Sequence, residues 1–451
     1  MLKALAASAP APSATGVAAA LAAALRDPAF GGHLTGEVVD GETGQVLLDR
    51  DSAQPLPPAS TVKVLTATAA LETLGPAATL NTGVVRDGST LYLIGGGDVT
   101  LHVTAATGAA SYPPTANMAS LATQTVAGLG TTRTVKLCLD TSAWPAGPAQ
   151  APGWNAGYFS GGDIAHLSPL EVDEGAAASH HPVRAPIIRV PDPAAAAGAA
   201  FATALRQRGV TVAGARCRAT APASALGVAS VSSPPVSALV QRMLTLSDND
   251  LAESLGRAVA RHEGQTADFA GEATAVTNEL RTLGVDVSGL TLYDASGLSH
   301  LDRVSAHTLV QAVQLATAAA HPELRVILDG MPVAGLTGTL ATRYRHGPAG
   351  AAAGVVRAKT GTLAGVNTIT GVVVDADGRP LVFAFLTDRA SGATVTEAAL
   401  DRVVARRLWS EDGVNRVDRW LLERVGALIA QPIKVAEALG IEHPHDAQRH
   451  Q

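Results

Sequence analysis

Residues 61–74 read as a helix with almost no polar face. Ser60 opens it and Gly75-Pro76 stops it. A helix that is apolar on nearly all sides belongs at the centre of a fold. What precedes it is short: Thr15 can cap a helix running to about Arg26, and Leu34–Asp40 and Gln45–Asp49 form a hairpin around Gly41-Glu42-Thr43-Gly44. Helical periodicity returns only at Val236–Leu246, Asp250–Arg261, Thr266–Leu283 and Ser305–Ala319. Strands follow at Val355–Lys359, Val366–Val374 and Leu381–Thr387, the last two joined through Asp375-Ala376-Asp377-Gly378, with a helix at Thr394–Arg407 behind them. Two strands at the start and three at the end, with helices between, assemble most economically as one antiparallel sheet sandwiched by helices.

The stretch 77–234 has a different character. Short strands at Gly83–Val85, Leu91–Ile94, Thr134–Leu139 and Val210–Ala219 are broken by Gly-, Pro- and Ala-rich segments, with helices at Asn117–Leu129 and Pro193–Arg208. It reads as one or two inserted modules between the halves 15–76 and 235–407, which agrees with the two or three domains that 451 residues imply. Residues 1–14 read as a leader or linker with a faint trace of an export signal. Residues 408–451 read as a C-terminal extension with an amphipathic helix at Val417–Ile429, Trp409 and Trp420, and a polar end holding His443, His445 and His450.

Composition narrows the function. Aromatics are 3% of the chain and the net charge is −6, so neither a stacking platform for single-stranded nucleic acid nor a basic footprint for a polyanion is present. No segment has the run of about 18 apolar residues that a membrane span needs. Two cysteines, Cys138 and Cys217, exclude a disulfide framework or a Cys-rich zinc site; whether they pair is open from sequence. Gly95-Gly96-Gly97 reads as a turn rather than a phosphate loop, because no Gly-Lys-Ser/Thr follows. Trp154 and Tyr158 read as core residues that could otherwise border a groove. The chain has only five lysines, Lys3, Lys63, Lys136, Lys359 and Lys434, and Lys63 falls inside the apolar helix. A lysine there needs a reason.

Ser60 and Lys63 lie one helical turn apart on one face, so the amine can reach the hydroxyl. A serine becomes a nucleophile when a neighbouring base takes its proton, and a lysine of depressed pKa can be that base. Ser247-Asp248-Asn249 sits in the break between two helices, where Asn249 or Asp250 would cap the second. Lys359-Thr360-Gly361-Thr362 ends or lines a strand that could pair with an extended substrate, its lysine supplying positive potential and its threonines hydroxyl groups for a carboxylate. Each block alone is unremarkable. Together and in this order, S-x-x-K, S-D-N and K-T-G are the signature set of penicillin-binding proteins and serine β-lactamases.

The insertion between Ser60 and Ser247 narrows the resemblance to the D-alanyl-D-alanine carboxypeptidase/endopeptidase group of class C, low-molecular-mass penicillin-binding proteins. Gly95-Gly96-Gly97-Asp98, Asp294-Ala295-Ser296-Gly297-Leu298-Ser299, Gly338-Thr339-Leu340 with Arg343, and Ala358–Leu363 agree with it, over roughly residues 15–407. The resemblance implies an α/β (α+β) fold of the serine-transpeptidase/β-lactamase-like type, with a large strand-rich insert. It implies that Ser60 attacks the penultimate D-alanine carbonyl of a peptidoglycan stem peptide and that Lys63 takes the serine proton, kept neutral with help from Lys359. Ser247 would relay the proton to the leaving nitrogen, and the N–H groups of Ser60 and Thr362 would form the oxyanion hole. Asn249 would hold the substrate amide, while Lys359, Thr360, Gly361 and Thr362 bind substrate and its carboxylate. No metal or organic cofactor is called for. β-Lactams are expected as inhibitors, nucleic acid is not expected as a partner, and an extracytoplasmic location follows from the family. The oligomeric state is open. A class A β-lactamase would need a Glu-x-x-Leu-Asn stretch after S-D-N, and only Glu253 within a helix is found. A non-catalytic scaffold has no use for the Ser60–Lys63 pair. Because 77–234 holds no motif residue, it is expected to be dispensable for the chemistry.

Overall fold

The computed structural model describes residues 11–105, 115–177, 187–375 and 378–405. The expected C-terminal extension, its helix at Val417–Ile429 and most of the leader lie outside the described residues, as does the middle of the 375–378 turn.

The chain begins with α1 (Ala14–Leu21), capped by Ser13 rather than Thr15: the Ser13 hydroxyl accepts from Gly16 N at 3.1 Å. Strands β1 (Thr35–Asp40) and β2 (Val46–Arg50) form the expected hairpin and lead to α2 (Lys63–Leu74). The inserted sheet is built from β3 (Asn81–Asp87), β4 (Thr90–Ile94), β5 (Thr134–Asp140), β6 (Thr211–Val212), β7 (Cys217–Arg218) and β8 (Leu226–Ser232). Among these strands run α3 (Met118–Gly128), the single turn α4 (Tyr158–Gly161) and α5 (Pro193–Arg206). Helices α6 (Val236–Leu246), α7 (Asn249–His262), α8 (Phe269–Thr282), α9 (Ala306–Thr317) and the short α10 (Arg325–Gly330) follow. Strands β9 (Val356–Leu363), β10 (Val366–Val374) and β11 (Pro380–Thr387) and helix α11 (Ala393–Ala405) complete the described chain.

The first and last strands close into one antiparallel sheet, β2-β1-β11-β10-β9. Successive strand residues point to opposite faces, and the two faces have separate cores. Val39, Val382, Ala384 and Leu386 pack toward α2 and the helices from α6 to α9. Val38, Phe383 and Phe385 pack with Val17 and Leu21 of α1 and Leu400 and Val403 of α11. Helix α2 is buried at nine consecutive positions from Lys63 to Leu71, as its uniform apolarity requires.

The insert is a mixed sheet, ordered β6-β5-β4-β3-β8 with β7 also on β5, and it has its own core against α3 and α5. The single strand expected at Val210–Ala219 is two short ones, both paired with β5 and separated at Gly214, whose φ of +70° turns the chain. Residue β-partners Cys138 and Cys217 are joined by a disulfide with Cα atoms 4.4 Å apart, 79 residues apart in sequence. Cys217→Ser is expected to cost about 2–4 kcal/mol, seen as a lower melting temperature that reductant reproduces in the unsubstituted protein. After β5 the chain leaves this sheet: Trp154 and Ile164 pack with Phe269 of α8 and Leu298, a seam between insert and main domain.

Candidate active site

Ser60 lies in a 3₁₀ turn, Ala59–Val62, that runs directly into α2. Ala59 takes a left-handed φ of +48° to start it. Lys63 is completely buried. Its Nζ donates to Ser60 Oγ at 3.0 Å, to Asn249 Oδ1 at 2.6 Å and to the Ser296 carbonyl at 2.6 Å. Three donors therefore meet three acceptors. Burial lowers the Lys63 pKa to about 8, against the pull of the carboxylates Asp294, Glu253, Asp248 and Asp250.

Ser247 ends α6 in the left-handed region at φ +59°, and its Oγ accepts from Lys359 Nζ at 2.8 Å. The cap of α7 is Asp248, whose carboxylate accepts from Leu251 N at 3.0 Å, not Asn249 or Asp250. That one-residue difference leaves Asn249 free to turn to Lys63. Its Nδ2 donates to the Asp163 carbonyl at 2.8 Å, so both ends of the carboxamide are engaged.

The Lys359–Thr362 block lies within β9, the edge strand beside β10. Lys359 is fully buried and its Nζ also donates to the Thr360 carbonyl at 2.6 Å. Burial first, and then the charge of Lys63, drive its pKa well below the ordinary lysine value. The like-charge coupling thus weighs chiefly on Lys359, whereas Lys63 is depressed by burial. Gly361 is required by space: a Cβ there would come within 2.3 Å of Thr368 Oγ1 and 2.8 Å of the Pro58 carbonyl, just ahead of Ser60. The hydroxyls of Thr360 and Thr339 meet at 2.9 Å, which brings the Gly338-Thr339-Leu340 block to the strand. Thr362 is exposed and donates to Glu397 Oε1 at 3.0 Å.

The structure thus forms two hydrogen-bonded groups, Ser60–Lys63–Asn249 and Ser247–Lys359, with Thr360 and Thr362 further along the strand that carries Lys359. It also adds residues that the motifs do not point to. The 294–299 block wraps the base of the site. Asp294 accepts from Trp154 Nε1 at 2.6 Å, Gly297 N at 2.7 Å and Ser299 N at 2.7 Å. The Ala295 carbonyl takes the Thr66 hydroxyl at 2.7 Å. Gly297 has φ +81°, and a Cβ on it would stand 1.9 Å from the Ala59 carbonyl. Glu253 is buried on α7, accepts from Ala295 N at 3.2 Å, and has its pKa raised by burial.

The insert takes part as well. Besides Asp163 and Trp154, its Ala165 N donates to Asp250 Oδ1 at 2.8 Å, and its Arg189 pairs with Asp250 Oδ2 at 2.9 Å. Pro152 accepts the Ser299 hydroxyl through its carbonyl at 2.7 Å. Absence of motif residues from 77–234 did not mean absence of contact with the motifs, because these contacts run largely through main-chain atoms. Trp154 is a core residue, as expected, and Tyr158 is half-buried with its hydroxyl donating to the Leu298 carbonyl at 3.3 Å.

The family model for D-Ala-D-Ala carboxypeptidase 3 (S13) matches residues 17–181 and 174–407. The carboxypeptidase DacB of Mycolicibacterium smegmatis is 40% identical over 398 residues, covering 87% of this chain and 84% of the relative. The D-alanyl-D-alanine carboxypeptidase of an Actinomadura species is 31% identical over 446 residues, covering 82% of this chain and 80% of the relative. Among solved structures, penicillin-binding protein 4 (DacB) of Haemophilus influenzae superposes with a TM-score of 0.67 at 22% identity, covering 83% of this chain and 94% of that one. The same Haemophilus protein has been solved in complex with a β-lactam.

Proposed function

This chain belongs to the D-Ala-D-Ala carboxypeptidase 3 (S13) family, and we propose that Ser60 is the nucleophile through which it works. The protein is a serine-type D-Ala-D-Ala carboxypeptidase, a hydrolase acting on peptidoglycan stem peptides, with β-lactams as inhibitors. The observation that carries the Ser60 assignment is the 3.0 Å contact from the buried Lys63 amine to the Ser60 hydroxyl.

In this reading Lys63 in its neutral form takes the Ser60 proton as Oγ adds to the carbonyl of the penultimate D-alanine. The peptide C–N bond then breaks. The proton held by Lys63 is passed on through Ser247, beside Lys359, to the departing nitrogen, and D-alanine leaves with Ser247 and Lys63 restored. Water hydrolyses the Ser60 ester, releasing the shortened peptide and restoring the hydroxyl. Backbone N–H groups of Ser60 and Thr362 are assigned to the oxyanion. We assign Asn249 first to orienting Lys63; contact with a substrate amide requires exchange of its Asp163 bond. Thr360 and Thr362 lie along the edge strand where an extended peptide would add. An extracytoplasmic location is part of the proposal, and the Cys138–Cys217 disulfide supports it.

Penicillin provides the test. Its opened amine stays tethered to the acyl group, and Glu253, the carboxylate nearest the β-lactamase alternative, is buried and engaged with Ala295 N. Hydrolysis of the adduct is therefore expected to be slow. Intact-mass measurement is expected to show one added penicillin, mapping to the Ser60 peptide and absent from Ser60→Ala. Labelling at another serine, or fast penicillin turnover with no adduct, would displace the assignment.

A further inference from the structure

Glu72, His321 and Glu323 meet at the end of α2 remote from the nucleophile. Glu72 lies nine positions beyond Lys63 on that helix, about 14 Å along its axis. His321 and Glu323 come from the turn around Pro322–Leu324 that leads into α10. His321 Nδ1 is 2.9 Å from Glu72 Oε1 and 3.4 Å from Glu323 Oε1, and one ligand atom from each of the three lies within 4.8 Å of the others. The two carboxylates are within hydrogen-bond reach of each other. Among the described residues, no lysine or arginine forms an ion pair with either. The backbone beneath them is firmly held, because Leu71 and Leu324, their neighbours in sequence, are buried in one core.

The charges here are out of balance. Helix α2 ends at Leu74, so Glu72 sits at the negative end of its dipole, and Glu323 brings a second carboxylate against it. One imidazole carries at most a single positive charge. A divalent cation would offset both carboxylates and accept the imidazole nitrogen as a ligand. Around a tetrahedral metal with bonds of about 2.0–2.2 Å, ligand atoms stand about 3.3–3.5 Å apart, close to the separations found. One nitrogen and two carboxylate oxygens suit zinc, whereas magnesium and calcium favour oxygen ligands alone. The three side chains keep 18–27% of their surface exposed, which gives a water access as fourth ligand.

We propose that Glu72, His321 and Glu323 form a zinc site that ties the end of α2 to the connection between α9 and α10. His321 ligates through Nδ1 and keeps its proton on Nε2. The zinc takes no part in acyl transfer. It braces, from the opposite end, the helix that carries Lys63.

The test uses the full chain, treated with EDTA and dialysed free of it, then titrated with zinc chloride by calorimetry and followed by thermal unfolding. Zinc is expected to bind at this site in one equivalent and to raise the melting temperature by mass action, and EDTA should reverse the rise. Magnesium or calcium at the same concentration should leave the melting temperature unchanged. His321→Ala and the near-isosteric Glu72→Gln should each weaken that equivalent at least about tenfold, since even an outer-shell partner of a bound metal is worth about 10–100-fold. Both variants should take up penicillin on Ser60 like the original protein, which shows that they are folded. Absence of zinc uptake by the original protein overturns the proposal. So do zinc binding and a melting shift that persist undiminished in both variants, the result expected if zinc is held instead by His443, His445 or His450.

Discussion

Lys63→Ala is expected to lower the rate of penicillin acylation at Ser60 by about 10³-fold, within the range that a general base supplies. The sign of the pH dependence follows from the amine. Its pKa is lowered from 10.5 to about 8, and only the neutral form accepts a proton. The neutral fraction is therefore about one-tenth at pH 7, half at pH 8 and nearly complete above about pH 9. Acylation by the original protein should climb with pH through this window and then level off. In Lys63→Ala that limb should vanish together with the rate. The substitution also strips a partner from Asn249 Oδ1 and from the Ser296 carbonyl, each worth about 1–3 kcal/mol when left unsatisfied. Melting temperature and circular dichroism should accompany the kinetics, so that lost folding is not read as lost chemistry. A folded Lys63→Ala protein that acylates at close to the original rate would show that another group is the base.

What could be read in the sequence follows from which atoms leave a mark there. Helix α2 and strands β1, β2, β10 and β11 were legible because their burial is written in apolar side chains, and the motif blocks because nucleophile, base and strand lysine are side-chain chemistry. Strand β8 was not: Leu226–Ser232 has no buried position and is interrupted by Gly and Ser, so no alternation marks it. The cap of α7 was misplaced by one because Asp248, Asn249 and Asp250 are all able to cap, and the choice is made by Lys63, far away in sequence, engaging Asn249. The Ser296 carbonyl that completes the Lys63 shell is a main-chain atom and has no residue signature. Glu397 lies on an ordinary amphipathic helix, and only the docking of α11 against β9 brings it to Thr362.

The same main-chain logic reverses the expectation for the insert, and it carries the second large effect. Replacing 77–234 by a short linker is expected to abolish penicillin acylation, by at least about 10²-fold, the loss that misplacement of about 1 Å brings to a catalytic group. The linker removes the Asp163 carbonyl from Asn249, Arg189 and Ala165 from Asp250, and Trp154 from Asp294. A smaller change isolates the contact. Arg189→Ala leaves the buried Asp250 without its ion-pair partner, and breaking such a pair costs about 3–5 kcal/mol. Burial, with Asp248 adding to it, already outweighs Arg189 and lifts Asp250 to about 7; burial and Asp248 likewise lift Glu174 to about 8 despite its bond to Arg242. Because these folded-state values lie above those of the unfolded chain, the stability the groups lend is full in acid and is lost as pH rises through about 7 and 8. The melting temperature is therefore expected to fall as pH is raised from about 5 to about 9. In Arg189→Ala the fall should be steeper, since the ionised Asp250 has then lost its guanidinium. Acylation should decline along with the melting temperature, because Asp250 and Asn249 share the first turn of α7. A folded linker variant that takes up penicillin at the original rate would restore the view that the insert only shapes access to the polymer.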